Sequence, residues 1–129
     1  IEENSRRLVR SHDIRPQSTG IRVGALSGGN QQKVIVARVM MEAPDLLIAM
    51  NPTRGLDVGA AAFVYETFLE RRGKGGAILL ISSELSEIMS LSDRIAVLCE
   101  GRIQGEVAGA EADELTLGLW MAGVSGEPA

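Results

Sequence analysis

Leu26-Ser27-Gly28-Gly29-Asn30 places a hydroxyl, two glycines and an amide directly before a long apolar stretch. A helix opening this way presents backbone N–H groups without intrahelical partners, the positive end of its dipole and one side-chain hydroxyl. That combination suits an anion such as a phosphate. Taken alone, Ser-Gly-Gly before a helix is more often a turn and an N-cap than a ligand site. A second stretch, "DLLIAMNPTRGLD" at residues 45–57, reads as a strand end turning through Pro52 and Gly55 to Asp57. Such a place commonly carries catalytic acids, yet here it offers the thioether of Met50 and the amide of Asn51.

Composition bounds the elements that could position these groups. With 129 residues and 45% apolar content, the chain reads as one globular domain with a modest core. Aromatic residues are only 3%, so the core must come from aliphatic side chains, Ala and Met. Thirteen basic residues against seventeen acidic ones give no electrostatic reason to expect nucleic acid. Arg6, Arg7, Arg10, Arg15 and Arg22 make the start locally basic, which reads as a solvated face rather than a phosphate or lipid patch. Cys99 is the sole cysteine, so no internal disulfide can form, and its run "IAVLC" reads as a buried inert thiol in a reducing compartment. His12 is also alone, which excludes a multi-histidine metal site, and it reads as a surface residue. No run reaches the ~18 apolar residues that cross a bilayer. The start "IEENSRRLVR" has neither a signal pattern nor an initiator Met, so the sequence is expected to begin within something longer.

The periodicities predict helix at residues 2–11, a turn-rich loop "DIRPQSTGIRVGA", and a helix of about 12 to 14 residues closed before Pro44. Leu46–Met50 and "AILLIS" read as strands covered on both faces, with the helix "VGAAAFVYETFLERR" between them. This is a parallel βαβ unit. "SELSEIMSLS" predicts a short helix whose capping box joins Ser83 with Ser86 or Glu87. "RIAVLCEGRIQGEV" predicts a hairpin turning at Glu100-Gly101, and "ADELTLGLWMAG" a last helix anchored by Trp120. The tail "VSGEPA" is expected to fray.

The ordered series "LSGGNQQKVIVAR", "NPTRGLDVGA", "ILLISSEL" and "DRIAVLCEGRI" resembles the C-terminal half of the nucleotide-binding domain of ATP-binding cassette (ABC) transporters. The likeness covers nearly every residue from Ile14 to Met121, and its flavour is that of the second cassette of simple-sugar and nucleoside importers. It implies an α/β fold: a partial P-loop NTPase domain with a helical-subdomain remnant (1–43), half of the catalytic core (44–123) and a tail (124–129). No G-x-x-x-x-G-K-[ST] loop occurs, so the phosphate cradle is expected to lie outside this chain.

By this resemblance Ser27, Gly28, Gly29 and Asn30 form the signature motif that meets the terminal phosphate of ATP held by a partner cassette, and Asp57 belongs to the D-loop at the dimer seam. The family's Mg²⁺-holding Asp and water-activating Glu match Met50 and Asn51, and its switch histidine matches Ser83. Thioethers are poor ligands for Mg²⁺, and a neutral amide cannot take a proton from water at physiological pH. Each change alone reads as drift at a buried position, but together they imply a half-site without hydrolysis. The implied cofactors are ATP and Mg²⁺. The implied partners are a second nucleotide-binding domain and transmembrane permease subunits, with no nucleic acid, at the cytoplasmic side of the inner membrane. Exposed strand edges imply that the chain alone self-associates. The alternatives are the ATPase head of SMC-type chromosome proteins, disfavoured by the missing acids and basic balance, and a non-catalytic interaction module.

Overall fold

The structure, a computed structural model, describes residues 2–124. Of the tail expected to fray, 125–129 lie outside the described residues. The chain divides into two compact units, residues 1–79 and 80–129.

In the first unit, α1 (Glu2–Ser11) buries no residue, and Arg6, Arg7 and Arg10 face solvent. After a 3₁₀ turn at Val23–Ala25 comes α2 (Gly28–Met40), thirteen residues long and ending before Pro44 as its pattern requires. Then follow β1 (Leu46–Met50), α3 (Val58–Gly73) and β2 (Ala77–Ile81), whose last two residues belong to the second unit. β1 and β2 are hydrogen-bonded neighbours in the parallel arrangement that a helical crossover allows. α2 and α3 pack on each other; their buried residues are Val36 and Ala37 in one, and Ala60, Val64 and Phe68 in the other.

Arg71 fastens the connection between α2 and β1. Its guanidinium donates to Pro44 O at 2.8 Å and to Ala43 O at 2.9 Å, where the chain turns through a left-handed Ala43. These carbonyls have no partner within α2, and a charged fork satisfies both together. The strands depart from expectation in one respect. β1 buries only Ala49 fully, while Leu46, Ile48 and Met50 are 57%, 62% and 69% exposed. A continuous apolar strand calls for cover on two faces, but the described residues cover the Ala49 side alone.

In the second unit, α4 (Leu85–Leu91) precedes the antiparallel hairpin of β3 (Arg94–Cys99) and β4 (Arg102–Ala108), and α5 (Glu114–Met121) follows. The hairpin turns at Glu100-Gly101, as predicted, with φ of 51° and 75°. Two successive positive φ values match the twist of the strands they join. β3 alternates, burying Ile95 and Val97 against Leu117 of α5, with Leu85, Ile88, Met89, Val107, Ala112 and Trp120 around them. Asp113 caps α5 by accepting from Thr116 N at 2.9 Å, and the Thr116 hydrogen bonds hold its carboxyl below the usual range. Because the folded value is lowered, this support is present above the unfolded pKa and is lost as pH falls through the folded one.

Two local expectations fail here. The capping box does not form: Glu84 is the N-cap of α4 without a side-chain bond, Ser83 is exposed, and Glu87 is buried. Ser82 Oγ takes the Glu84 amide instead, at 3.1 Å, so the hydroxyl one residue earlier serves the turn. Cys99 is half-buried rather than buried, because it ends β3 beside the turn and meets the Gly123 region.

Trp120 does anchor α5, and it sets a strict demand on β4. A Cβ at Gly105 would lie 2.5 Å from the indole ring. Gly105→Ala should therefore destabilise this unit by about 1–3 kcal/mol through overpacking. Urea unfolding followed by the fluorescence of Trp120, the only tryptophan, measures it; an unchanged midpoint would contradict this packing.

Candidate functional site

Ser27 is the N-cap of α2, in extended backbone (φ −60°, ψ 155°), and its side chain makes no capping hydrogen bond. Gly28 and Gly29 form the first helical positions, and the two have different reasons for lacking a side chain. A Cβ at Gly29 would lie 2.9 Å from Ala60 Cβ and 3.5 Å from Asp57 Oδ2. A Cβ at Gly28 would meet nothing within 4 Å. Gly29 is thus demanded by the packing of α2 on the start of α3. Among the described residues, nothing demands Gly28.

Asp57 is the N-cap of α3, and its Oδ1 accepts from Ala60 N at 2.9 Å. The close approach at Gly29 brings the head of α2 beside Asp57. The strand-end turn joins them through Gln32, whose Nε2 donates to Pro52 O at 2.8 Å. Gln31 donates to Leu26 O at 2.8 Å, tying the first turn of α2 to the loop before it. Neither glutamine bond was foreseeable, because a polar residue on an amphipathic helix gives no sign of its partner.

Further contacts join α2 and α3 to the segment after α1. Lys33 Nζ donates to Asp13 O at 3.1 Å and lies 5.1 Å from the centroid of the Phe63 ring on α3. His12 meets the edge of the same ring, 5.7 Å between centroids, so it is half-buried rather than a surface residue. Arg15 donates to Asp13, and this bond, with Lys33 nearby, holds the Asp13 carboxyl below its usual range.

The strand-end positions read differently in space. Met50 is not at a buried position; it extends from the exposed face of β1 with Leu46 and Ile48. Asn51 lies in the left-handed region (φ 45°), and its carbonyl accepts from Arg54 N at 3.2 Å to close a turn. Asn tolerates this conformation better than other non-glycine residues do. Its presence therefore has a backbone reason independent of any catalysis. A thioether beside a turn amide is not a donor set for Mg²⁺, so no metal step is assigned to these two residues. Ser83 lies in the second unit, exposed.

The head of α2 fits an anionic group better: first-turn amides, an uncapped hydroxyl and open space above Gly28. Substitution should separate the two glycines. Gly29→Ala should lower stability by about 1–3 kcal/mol, whereas Gly28→Ala should leave it unchanged or raise it by up to about 1 kcal/mol, in thermal unfolding. Equal effects would contradict the packing difference.

No protein-family model matches the chain. The guanosine import ATP-binding protein NupO of Bacillus subtilis is 53% identical over 121 residues, 94% of this chain and 24% of that protein. The xylose import ATP-binding protein XylG of Moorella thermoacetica is 52% identical over 101 residues, 78% of this chain and 20% of its own length. The chain thus spans about a quarter of the length of the curated relatives it matches. A solved ATP-binding cassette of an ABC transporter aligns with a TM-score of 0.76 at 23% identity, over 95% of this chain and 49% of that one. A dimeric cassette in a post-hydrolysis state with ADP and Pi aligns at 0.70 and 21%, over 83% and 47%. At these identities the structural likeness speaks for the fold. No helix among the described residues is long and apolar enough to cross a membrane. In sequence and in fold, the chain belongs to the ATP-binding cassette family, as a C-terminal part of a nucleotide-binding domain.

Proposed function

We propose that this chain completes a nucleotide site held by a partner cassette, in an importer for simple sugars or nucleosides. Ser27, Gly28, Gly29 and the amides of the first turn of α2 meet the terminal phosphate of ATP anchored elsewhere. Asn30 borders the same edge, and Asp57 faces the seam between the cassettes. Residues 1–43 serve as the helical-subdomain part and 44–123 as part of the catalytic core. Transmembrane permease subunits complete the assembly, which would place the chain peripherally on the cytoplasmic side of the inner membrane.

One observation carries the reading: Gly28 faces open space beside a serine hydroxyl that caps nothing. A glycine required by neither backbone nor packing at the head of a helix suits close approach by an external group. When bound, ATP supplies the phosphates and Mg²⁺ the charge neutralisation. This chain contributes N–H and O–H donors that stabilise charge on the terminal phosphate. Its own strand end contributes no acid. Met50 lacks oxygen donors, Asn51 cannot take up a proton, and Ser83 is shorter than the histidine of the family pattern.

The pair of sites is therefore asymmetric, with the working chemistry on the partner's side. In a full-length, two-cassette protein carrying this segment, Ser27→Arg should abolish ATP hydrolysis by filling the phosphate position with a long side chain. Met50→Leu should leave turnover near that of the parent. Steady-state ATPase assays with permease present decide this. Similar losses from both substitutions would contradict the asymmetry.

A further inference from the structure

We propose that Asn30 is a positioning residue for Ser27, setting the direction in which the serine hydroxyl donates at the head of α2. The inference rests on the phosphate reading of Ser27 given above and adds how that hydroxyl is aimed. Asn30 Nδ2 donates to Ser27 Oγ at 2.8 Å, and Asn30 Oδ1 accepts from Arg15 N at 2.7 Å. The second bond fixes the first. Only the oxygen end of the amide can accept from a backbone N–H, so the NH₂ end is the one turned toward Ser27.

A hydroxyl oxygen that accepts from an amide still has its own proton to give. An N-cap serine ordinarily turns its oxygen to the N2 or N3 backbone amide, which uses up one donor of the first turn. Ser27 does not do this. Asn30, itself at N3, takes the place of that backbone amide with its side chain. The first-turn N–H groups and the serine O–H are then all left to point at an external anion. Arg15 is secured in turn by its bond to Asp13, and Lys33 of α2 reaches Asp13 as well, at 3.8 Å. The loop before α2 thus fixes the amide that fixes the hydroxyl.

A double-mutant cycle tests the role in the full-length, two-cassette protein assembled with its permease. Ser27→Ala, Asn30→Ala and their combination are compared with the parent for kcat and KM of ATP hydrolysis and for melting temperature. Asn30→Ala should reduce kcat about ten-fold, the effect of roughly one misdirected hydrogen bond. The double variant should be no slower than Ser27→Ala alone, with melting temperatures unchanged. Losses that multiply would show that Asn30 acts independently of Ser27 and would overturn the positioning role while leaving the phosphate reading intact. No loss from Ser27→Ala would overturn the phosphate reading and the positioning role with it. Should Asn30→Ala fold poorly, Asn30→Asp keeps the acceptor for Arg15 and removes the donor to Ser27. Its loss should then be larger with Ser27 present than in the Ser27→Ala background; equal losses in both would overturn the positioning role.

Discussion

The close approach of α2 to the start of α3 is the constraint on which the rest of the first unit depends. It requires glycine at position 29, because Ala60 occupies the space a side chain would take, with the Asp57 carboxylate in ordinary contact beside it. Asp57 in turn caps α3, so one short contact sets the heads of two helices against each other. Gln32 and Pro52 extend the link to the turn after β1, and Arg71 ties the other end of α3 to the end of α2. Charge-assisted and carbonyl bonds at both ends of a helix pair resist rotation of one helix on the other better than apolar packing alone. The head of α2 is therefore held from several directions. It can present donors without reorganising when charge develops on a bound group.

Met50 and Asn51 at the strand end each have a structural setting of their own. Asn51 suits the left-handed turn that it occupies, while Met50 lies on an exposed strand face. A glutamate at 51 would bear a conformational cost of roughly 1 kcal/mol in this backbone. The turn of this chain is thus suited to linking β1 to α3. The same stretch delivers Asp57 to the head of α3.

Much of this was legible in the sequence because it depends on local rules. Ser27 before two glycines, Asp57 before an apolar helical run and Glu100-Gly101 between alternating strands each specify their own backbone. The meeting of Gly29 with Asp57 was not legible, since no local rule predicts which helix start faces which. Burial was less legible. A continuous apolar strand shows that cover is needed without showing whether the chain in hand supplies it, and β1 bares Leu46, Ile48 and Met50. Long-range side-chain bonds were invisible for a related reason. Arg71, Gln32 and Arg15 find carbonyls or an amide many residues away, and nothing in composition or spacing marks such partners. The capping box of α4 failed because Ser82 and Ser83 both offer a hydroxyl, and the sequence does not rank two adjacent candidates.

On the proposed reading, this chain offers donors to a nucleotide anchored by another cassette and forms no phosphate cradle by itself. Calorimetric titration of the chain with Mg-ATP tests it most directly. Donors at one helix end, without a second wall of contacts, should give no heat of binding at ordinary concentrations. A saturable isotherm with Kd near about one micromolar, some 8 kcal/mol of binding free energy, would mean that the chain itself encloses a nucleotide pocket and would contradict the account.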